Sequence, residues 1–543
     1  MVTVGVLVAA VLLIGQTGVA RQSSSQRPKA AVVIVIDQMR ADYVTRFTPY
    51  FTGGLKRILS EGAVFDSASH EHANTETAVG HATLSTGCFP SHHGIVGNEF
   101  YDRLHDQIVY AVEDTTTRLL RTTSAPLKRD DSLGSSAHYL LRSSIANWVA
   151  QADKHNRVFS ISLKDRSAIL MAGQSAQENT RADAVYWWDR KTGDFVTSTA
   201  YAQALPEWVN RFNRSGARDN WRDSVWNRIG DTTQYDAIGP DSVALENDGI
   251  HTAFPHRFTT ERGNRSYYDA LYYTPYADQL LIGFARELIR KEKPGKGKGF
   301  DLLMISCSAA DAVGHSFGPM SQEIFDHYLR LDKCLDTLIR TLDSALGRDN
   351  YVIALSSDHG CANLPPVENR ISVRDYQAAV LGVAKEAMAS SLLDFRRDSV
   401  ISFLGSDLII RRNRLAPIDS ANESLLIRAL TWSLDKLPFV LKEESAETIR
   451  MLDNNFYPGR MPDISVILKE NLLLTSSTTG TGHGTPYWYD RHVPLAFWGV
   501  HIKPQHLTYR VRTVDMAPTL ADLIGIAQPD SVDGVSLFRN IRE

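Results

Sequence analysis

The sequence predicts an α/β fold: a doubly wound, mainly parallel sheet flanked by helices and interrupted by inserted cap regions. Three observations carry this. Several short runs are apolar at every position rather than at alternate ones, which is the pattern of strands buried on both faces. An amphipathic helical repeat separates two of those runs. Each run ends in a polar residue suited to chemistry, and in such folds ligands bind beyond the carboxyl ends of the strands.

In chain order, the first run is 31–36, ending at Asp37, and the second is 157–163, ending at Lys164. The third, 301–306, leads towards Asp311. The fourth, 351–355, leads into Asp358 and His359. Between the last two, Ile324, Tyr328, Leu331, Leu335, Leu338, Leu342 and Ala345 recur at intervals of four and three, one face of a helix. Two stretches break the rhythm. Residues 173–262, rich in Trp, Tyr, Asn, Asp and Gly, and residues 368–471 are expected to be insertions capping a core built from 27–172, 263–367 and 472–543. The second insertion has its own helical pattern over 422–437 and a strand-like run at 463–468. No internal repeat is evident.

Composition narrows the function. The 543 residues are 43% hydrophobic and 22% charged, with a formal charge of −4. Such a chain has no long-range positive field for a nucleic-acid partner, so an anionic substrate must be held locally. The uncharged run 2–15, ending in small residues near Ala20, reads as a signal peptide over 1–20. An uncleaved anchor is the alternative, and no other segment approaches a membrane span. Export to the periplasm or medium is therefore expected. Cys88, Cys307, Cys334 and Cys361 lack the C-x-x-C spacing of a zinc knuckle; disulfides and buried thiols both remain open.

The chemistry-bearing residues are carboxylates and imidazoles at strand ends, the donors that paired zinc ions take. Asp37 stands alone, Asp311 and His315 lie four apart, Asp358 and His359 are adjacent, and His483 sits in a Gly/Thr-rich loop. In the segment 74–84 small residues follow Thr77, which places it at a helix start, where free N–H groups favour an arriving phosphate. A threonine there is commonly just an N-cap. Coordination to a metal is what makes its hydroxyl a nucleophile.

Taken together, VIDQMR at 35–40, TETAVGHAT at 75–83, HGIVGN at 93–98, SLKDR at 162–166, DAVGH at 311–315, DHG at 358–360 and GHG at 482–484 resemble the alkaline phosphatase superfamily, in the same order. The likeness is closest to bacterial enzymes with a threonine nucleophile, within the type I phosphodiesterase/nucleotide pyrophosphatase group. It implies a zinc-dependent alkaline phosphatase of broad specificity, cleaving phosphate monoesters through a phospho-threonine. By position it implies Thr77 as nucleophile and Asp37, Asp358 and His359, with Thr77, around one of two zinc ions. It implies Asp311, His315 and His483 around the other. Asn98, Lys164 and Arg166 are implied as phosphate-binding residues. Small phosphate esters are the expected partners, and a monomer the expected state. Val79 stands where the family often has proline. The segment CFPSH at 88–92 resembles the sulfatase motif, but His92 replaces its arginine and the segment lies downstream of Thr77.

The alternatives are a phosphodiesterase or nucleotide pyrophosphatase on the same metal core, a non-catalytic zinc- or phosphate-binding protein, and a sugar-phosphate mutase. The Lys164/Arg166 pair argues against the first and last. A dianionic monoester carries more charge on its non-bridging oxygens than a diester does, and a guanidinium can meet that charge in bidentate fashion.

Overall fold

The computed structural model describes residues 27–122, 133–174, 182–257, 266–390, 400–412 and 420–542. The leader expected over residues 1–20 lies outside them. Among the described residues no helix is long and apolar enough to cross a membrane.

The elements that build the site are β1 (Ala30–Ile36), β2 (Ala63–Ser69), α1 (Thr77–Thr86), β3 (Arg157–Ser162), α2 (Asp165–Ala172), β4 (Ala184–Asp189), β5 (Asp194–Ser198), α3 (Pro275–Glu292), β6 (Asp301–Cys307), α4 (Ala309–Phe317), α5 (Gln322–Leu346), β7 (Tyr351–Ser356) and β8 (His492–Gly499). The described residues form a twelve-stranded sheet whose middle runs β2-β8-β7-β1-β6-β3-β4-β5. β7, β1, β6, β3 and β4 are mutually parallel. β8 runs antiparallel to β7 and to β2.

The unbroken apolar runs are explained by two cores. Along β1, Ala30, Val32, Ile34 and Ile36 enter one apolar layer, whereas Ala31, Val33 and Val35 enter the layer on the opposite face. A strand with core on both sides has no solvent face, so alternation disappears. The helix expected from the 324–345 repeat is α5, whose N-cap Ser321 accepts the Ile324 N–H.

Strand register then positions the chemistry. Ile36 pairs with Cys307, Val35 with Ser356, and Ser306 with Ser162. The parallel strands therefore end level with one another, and Asp37, Lys164, Asp311 and Asp358 follow those ends along one rim.

Two expectations differ. Within the stretch 173–262, β4 and β5 belong to the central sheet rather than to a cap. The Trp and Tyr content that suggested an insertion comes from β4 being buried on both faces: Val185 and Trp187 face one core, Tyr186 and Trp188 the other. The strand-like run 463–468 makes only single bridges, Leu408 to Ile464 and Val440 to Leu468, although Ile464 and Val466 are buried. Those two side chains join a separate apolar core around α-helices Val373–Ser390 and Ser420–Leu434. The four cysteines are free thiols.

Candidate active site

Thr77 is the first residue of α1, with Glu76 as N-cap in extended conformation. Its side chain is buried, and three groups surround its Oγ1: Lys164 Nζ at 3.2 Å, His359 Nε2 at 3.5 Å and Arg166 Nη2 at 3.5 Å. Gly80, one turn into α1, lets the helix lie directly on the backbone of Asp358. A Cβ there would fall well inside van der Waals contact with the Asp358 carbonyl. The nucleophile candidate and the strand-end carboxylate are thus locked together by a missing side chain.

The acidic and imidazole residues gather into two groups. Asp37, Asp358 and His359 each offer a ligand atom within 4.8 Å of the others, and so do Asp311, His315 and His483. The rings of His359 and His483 stack at 3.6 Å between centroids, which makes the two groups neighbours. Lys164 Nζ spans them, lying 2.7 Å from Asp37 Oδ2 and 2.7 Å from Asp311 Oδ2.

Each of the three imidazoles is held the same way. Backbone carbonyls accept from Nδ1: Gly360 for His359 (2.9 Å), Thr481 for His315 (2.8 Å) and Thr75 for His483 (2.8 Å). A carbonyl can only accept, so Nδ1 carries the hydrogen and Nε2 turns towards the carboxylates. Nε2 of His359 lies 3.5 Å from Asp37 Oδ1 and 3.5 Å from Asp358 Oδ2. Nε2 of His315 and of His483 lie 3.1 and 3.7 Å from Asp311 Oδ1. Burial lowers the pKa of His359 and His483, so their Nε2 atoms present lone pairs. Burial acts likewise on His315, but the Asp311 carboxylate beside it wins and raises its pKa.

Lys164 meets one oxygen each of Asp37 and Asp311 and leaves other carboxylate oxygens of the two groups without a donor. Asp37 Oδ1 and Asp358 Oδ2 are buried and accept no hydrogen bond among the described residues. Burial, helped by Asp358, pushes Asp37 well above the usual carboxylate range. The same burial acts on Asp358, yet His359 and His81 hold it below. For Lys164, burial would favour the neutral amine, but Asp311 and Asp37 override it and keep the ammonium charged. Lone pairs facing buried carboxylates repel unless a cation lies between them, and a carbonyl pinning Nδ1 is the usual support of a ligating histidine. The residues present therefore fit divalent metal.

Asn98 and Arg166 also stand next to the start of α1. Asn98 Oδ1 accepts the Ala78 N–H at 2.9 Å, which leaves its amide N–H groups as the donors it can offer a ligand. Its own N–H donates to Glu76 Oε2 at 2.6 Å, so 76–78 and Asn98 clasp each other. Arg166 donates to Tyr110 Oη at 3.3 Å, and Tyr110 donates to Asp165 at 2.7 Å.

All the residues named from the sequence thus meet in one place. Several supporting ones were not singled out. His81 Nδ1 lies 2.8 Å from the Thr77 carbonyl and 3.2 Å from Asp358 Oδ2, while its Nε2 lies 2.8 Å from Ser306 Oγ. Gln38, at φ 64°, gives its backbone N–H to Asp358 Oδ1 (3.1 Å) and its amide to Asp311 Oδ1 (2.7 Å). His81 lay inside the quoted motif and Gln38 beside Asp37, but nothing in the sequence marks either as a bridge. Tyr110, 56 residues from Arg166, carries no such signal at all.

Comparison with known proteins supplies the wider setting. Residues 31–489 match the family model described as type I phosphodiesterase / nucleotide pyrophosphatase. The chain is 31% identical to the alkaline phosphatase PhoV of Synechococcus elongatus, over 94% of this chain and 92% of that one. It is also 31% identical to the alkaline phosphatase PafA of Elizabethkingia meningoseptica, over 97% of both. The crystal structure of wild-type PafA superposes with a TM-score of 0.82 at 30% identity, covering 95% of this chain and 99% of that one.

Proposed function

Because this chain belongs to the type I phosphodiesterase/nucleotide pyrophosphatase family, and the relatives PhoV and PafA are alkaline phosphatases, we propose that it is a zinc-dependent phosphatase that cleaves monoesters through a phospho-threonine at Thr77. Membership makes it a phosphoric ester hydrolase with a metal cofactor. The threonine nucleophile, two zinc ions and monoester preference are the finer reading. The observation that carries it is the placement of one buried hydroxyl, Thr77 Oγ1, 3.5 Å from His359 of one carboxylate–imidazole group and within 3.5 Å of two cations, one of which, Lys164, also meets Asp311 of the other group.

Asp37, Asp358 and His359, with Thr77, hold one ion in this reading, and Asp311, His315 and His483 hold the other. When bound, a pair of divalent ions lowers the pKa of a hydroxyl and neutralises charge on attacking and leaving oxygens. The protein does the positioning. Thr77 Oγ1 loses its proton and bonds to phosphorus as the ester's P–O bond breaks, and the alkoxide or phenoxide leaves with the bonding pair and takes up a proton. Water then attacks phosphorus, the P–Oγ1 bond breaks, inorganic phosphate leaves, and a proton from that water restores the Thr77 hydroxyl. Phosphoryl transfer is loose, so most of the catalysis lies in holding charge. The α1 N-terminus, the Asn98 amide, Lys164 and Arg166 surround the non-bridging oxygens. Lys164 keeps its charge because Asp37 and Asp311 flank it, and the Tyr110–Asp165 clamp keeps Arg166 aimed. A monoester uses both cations fully; a diester, with one charge fewer, does not. Export to the periplasm or medium and action as a monomer complete the proposal.

The test is to quench turnover of an aryl phosphate in acid and map the phosphopeptide by mass spectrometry. Phosphate on Thr77, and no turnover in Thr77→Ala, is expected. A phosphoryl group elsewhere, or an active Thr77→Ala enzyme, rules the mechanism out.

A further inference from the structure

On one face of the sheet, α3 and α5 leave a groove between them that the catalytic reading does not use. Lys293, just past the end of α3, is the acceptor through its carbonyl for Arg157 at the start of β3, and Gly295 donates to Asp301 at the start of β6. The Lys293 and Lys296 end of the groove therefore flanks the amino ends of the strands. A seven-residue strand spans about 20 Å, so that end lies roughly that far from the metal-binding rim, and the groove runs from it along the two helices towards Gln279.

The groove consists of a cavity of about 600 Å³ and a second of about 300 Å³, joined through Arg286 and Thr337, which line both. Its charged walls are of one sign. No acidic residue and no aromatic residue lines either part. On α3, Arg286 and Arg290 are four residues apart and share one face, and Lys293, which caps the helix, lines the groove beyond them. Across from them, Lys333, Thr337, Arg340 and Ser344 follow at i, i+4, i+7 and i+11 on α5, a track of about 16 Å at 1.5 Å per residue. Lys296 closes one end. Three of the lining arginines have a carboxylate partner: Arg290 with Glu287 at 3.5 Å, Arg340 with Asp336 at 2.6 Å and Arg330 with Asp326 at 2.6 Å. Lys293, Lys296 and Lys333 form no ion pair among the described residues. Gly283, in the middle of α3, would meet nothing with an added Cβ. A helix-interior glycine costs about 1 kcal/mol relative to alanine, and here it keeps the groove floor open.

In a protein of formal charge −4, this concentration of cations is local. A linear row of positive charge suits an extended anion with charges at regular intervals. The lack of aromatic side chains removes the stacking surface that nucleic-acid bases use. We propose that the groove between α3 and α5 is an accessory binding site for linear oligophosphate. It holds the polyanion by charge and hydroxyl contacts, away from the site of hydrolysis, and so raises its concentration at the enzyme surface.

The probe is inorganic tripolyphosphate, titrated calorimetrically into metal-loaded protein carrying Thr77→Ala, at low and at physiological salt. The triple substitution Arg290→Gln, Lys293→Gln, Lys296→Gln should weaken binding at least tenfold and flatten its salt dependence. The charge-preserving triple Arg290→Lys, Lys293→Arg, Lys296→Arg should retain it. With Thr77 restored, turnover of a simple aryl phosphate should be unchanged in both variants, which separates loss of the groove from loss of the fold. Unchanged tripolyphosphate affinity in the glutamine variant overturns the proposal. So does complete displacement of tripolyphosphate by orthophosphate, which would put both ligands in the catalytic pocket.

Discussion

Replacing Lys164 with alanine separates the roles of this site most sharply. Its ammonium lies 2.7 Å from a carboxylate oxygen of Asp37 and of Asp311, one from each carboxylate–imidazole group, and 3.2 Å from Thr77 Oγ1. At about 4 Å and an effective dielectric of about 20, each unit of facing charge interacts with it by about 4 kcal/mol. Only the part realised in the transition state accelerates the reaction, and removing one such stabilising group typically costs about 3–4 kcal/mol. That corresponds to a loss of roughly 10²–10³ in kcat/KM for an aryl phosphate dianion. The matching methyl diester has one charge fewer, so its loss should be about tenfold. Metal content should not fall, because the substitution removes a competitor for Asp37 and Asp311 rather than a donor. The assay compares kcat/KM on the two substrates under saturating metal. Equal losses refute the reasoning and make Lys164 a structural ion-pair partner.

Gly80→Ala should push α1 away from Asp358, because the added methyl meets the Asp358 carbonyl. A misplacement of about 1 Å at a reacting group costs on the order of 10²-fold in kcat, so activity should drop by that order while the far-ultraviolet circular dichroism stays unchanged. Glu246 tests the pH dependence of stability; its neighbours Leu245 and Asn247 accept from Gly480 and donate to Ser316, next to the His483 loop and His315. Burial, reinforced by the Glu323 carboxylate, raises it to about 9, above about 4.3 in an unfolded chain. The folded state therefore binds the extra proton. The associated stability is full below pH ~4.3 and is lost as pH climbs towards 9. Glu246→Gln, which cannot ionise, should match wild type in denaturant unfolding near pH 4 and exceed it by a few kcal/mol near pH 9; a constant difference across that range contradicts the assignment.

What the sequence made legible follows from geometry. In a parallel sheet all carboxyl ends lie on one rim, so Asp37, Lys164, Asp311 and Asp358 needed only their strands to be recognised. The small residues after Thr77 gave only a helix start, which an N-cap would also explain, and its role followed from the family resemblance. His483 was less certain, since its loop is set by long-range backbone contacts such as Thr481 to His315 and Gly480 to Leu245. The bridges were not legible. Gln38 reaches both Asp358 and Asp311 because its φ of 64° turns the chain after β1. Tyr110 reaches Arg166 across the fold. The aromatic strand β4 was taken for a cap because Trp and Tyr content signals burial without saying against what.

The central claim is that six acidic and imidazole side chains form two metal sites around Thr77. Counting bound zinc per chain by elemental analysis tests it most directly. The account predicts two ions in the wild-type protein and loss of the second, with loss of activity, in Asp311→Ala or His483→Ala. Two retained ions and undiminished turnover in either variant would contradict it.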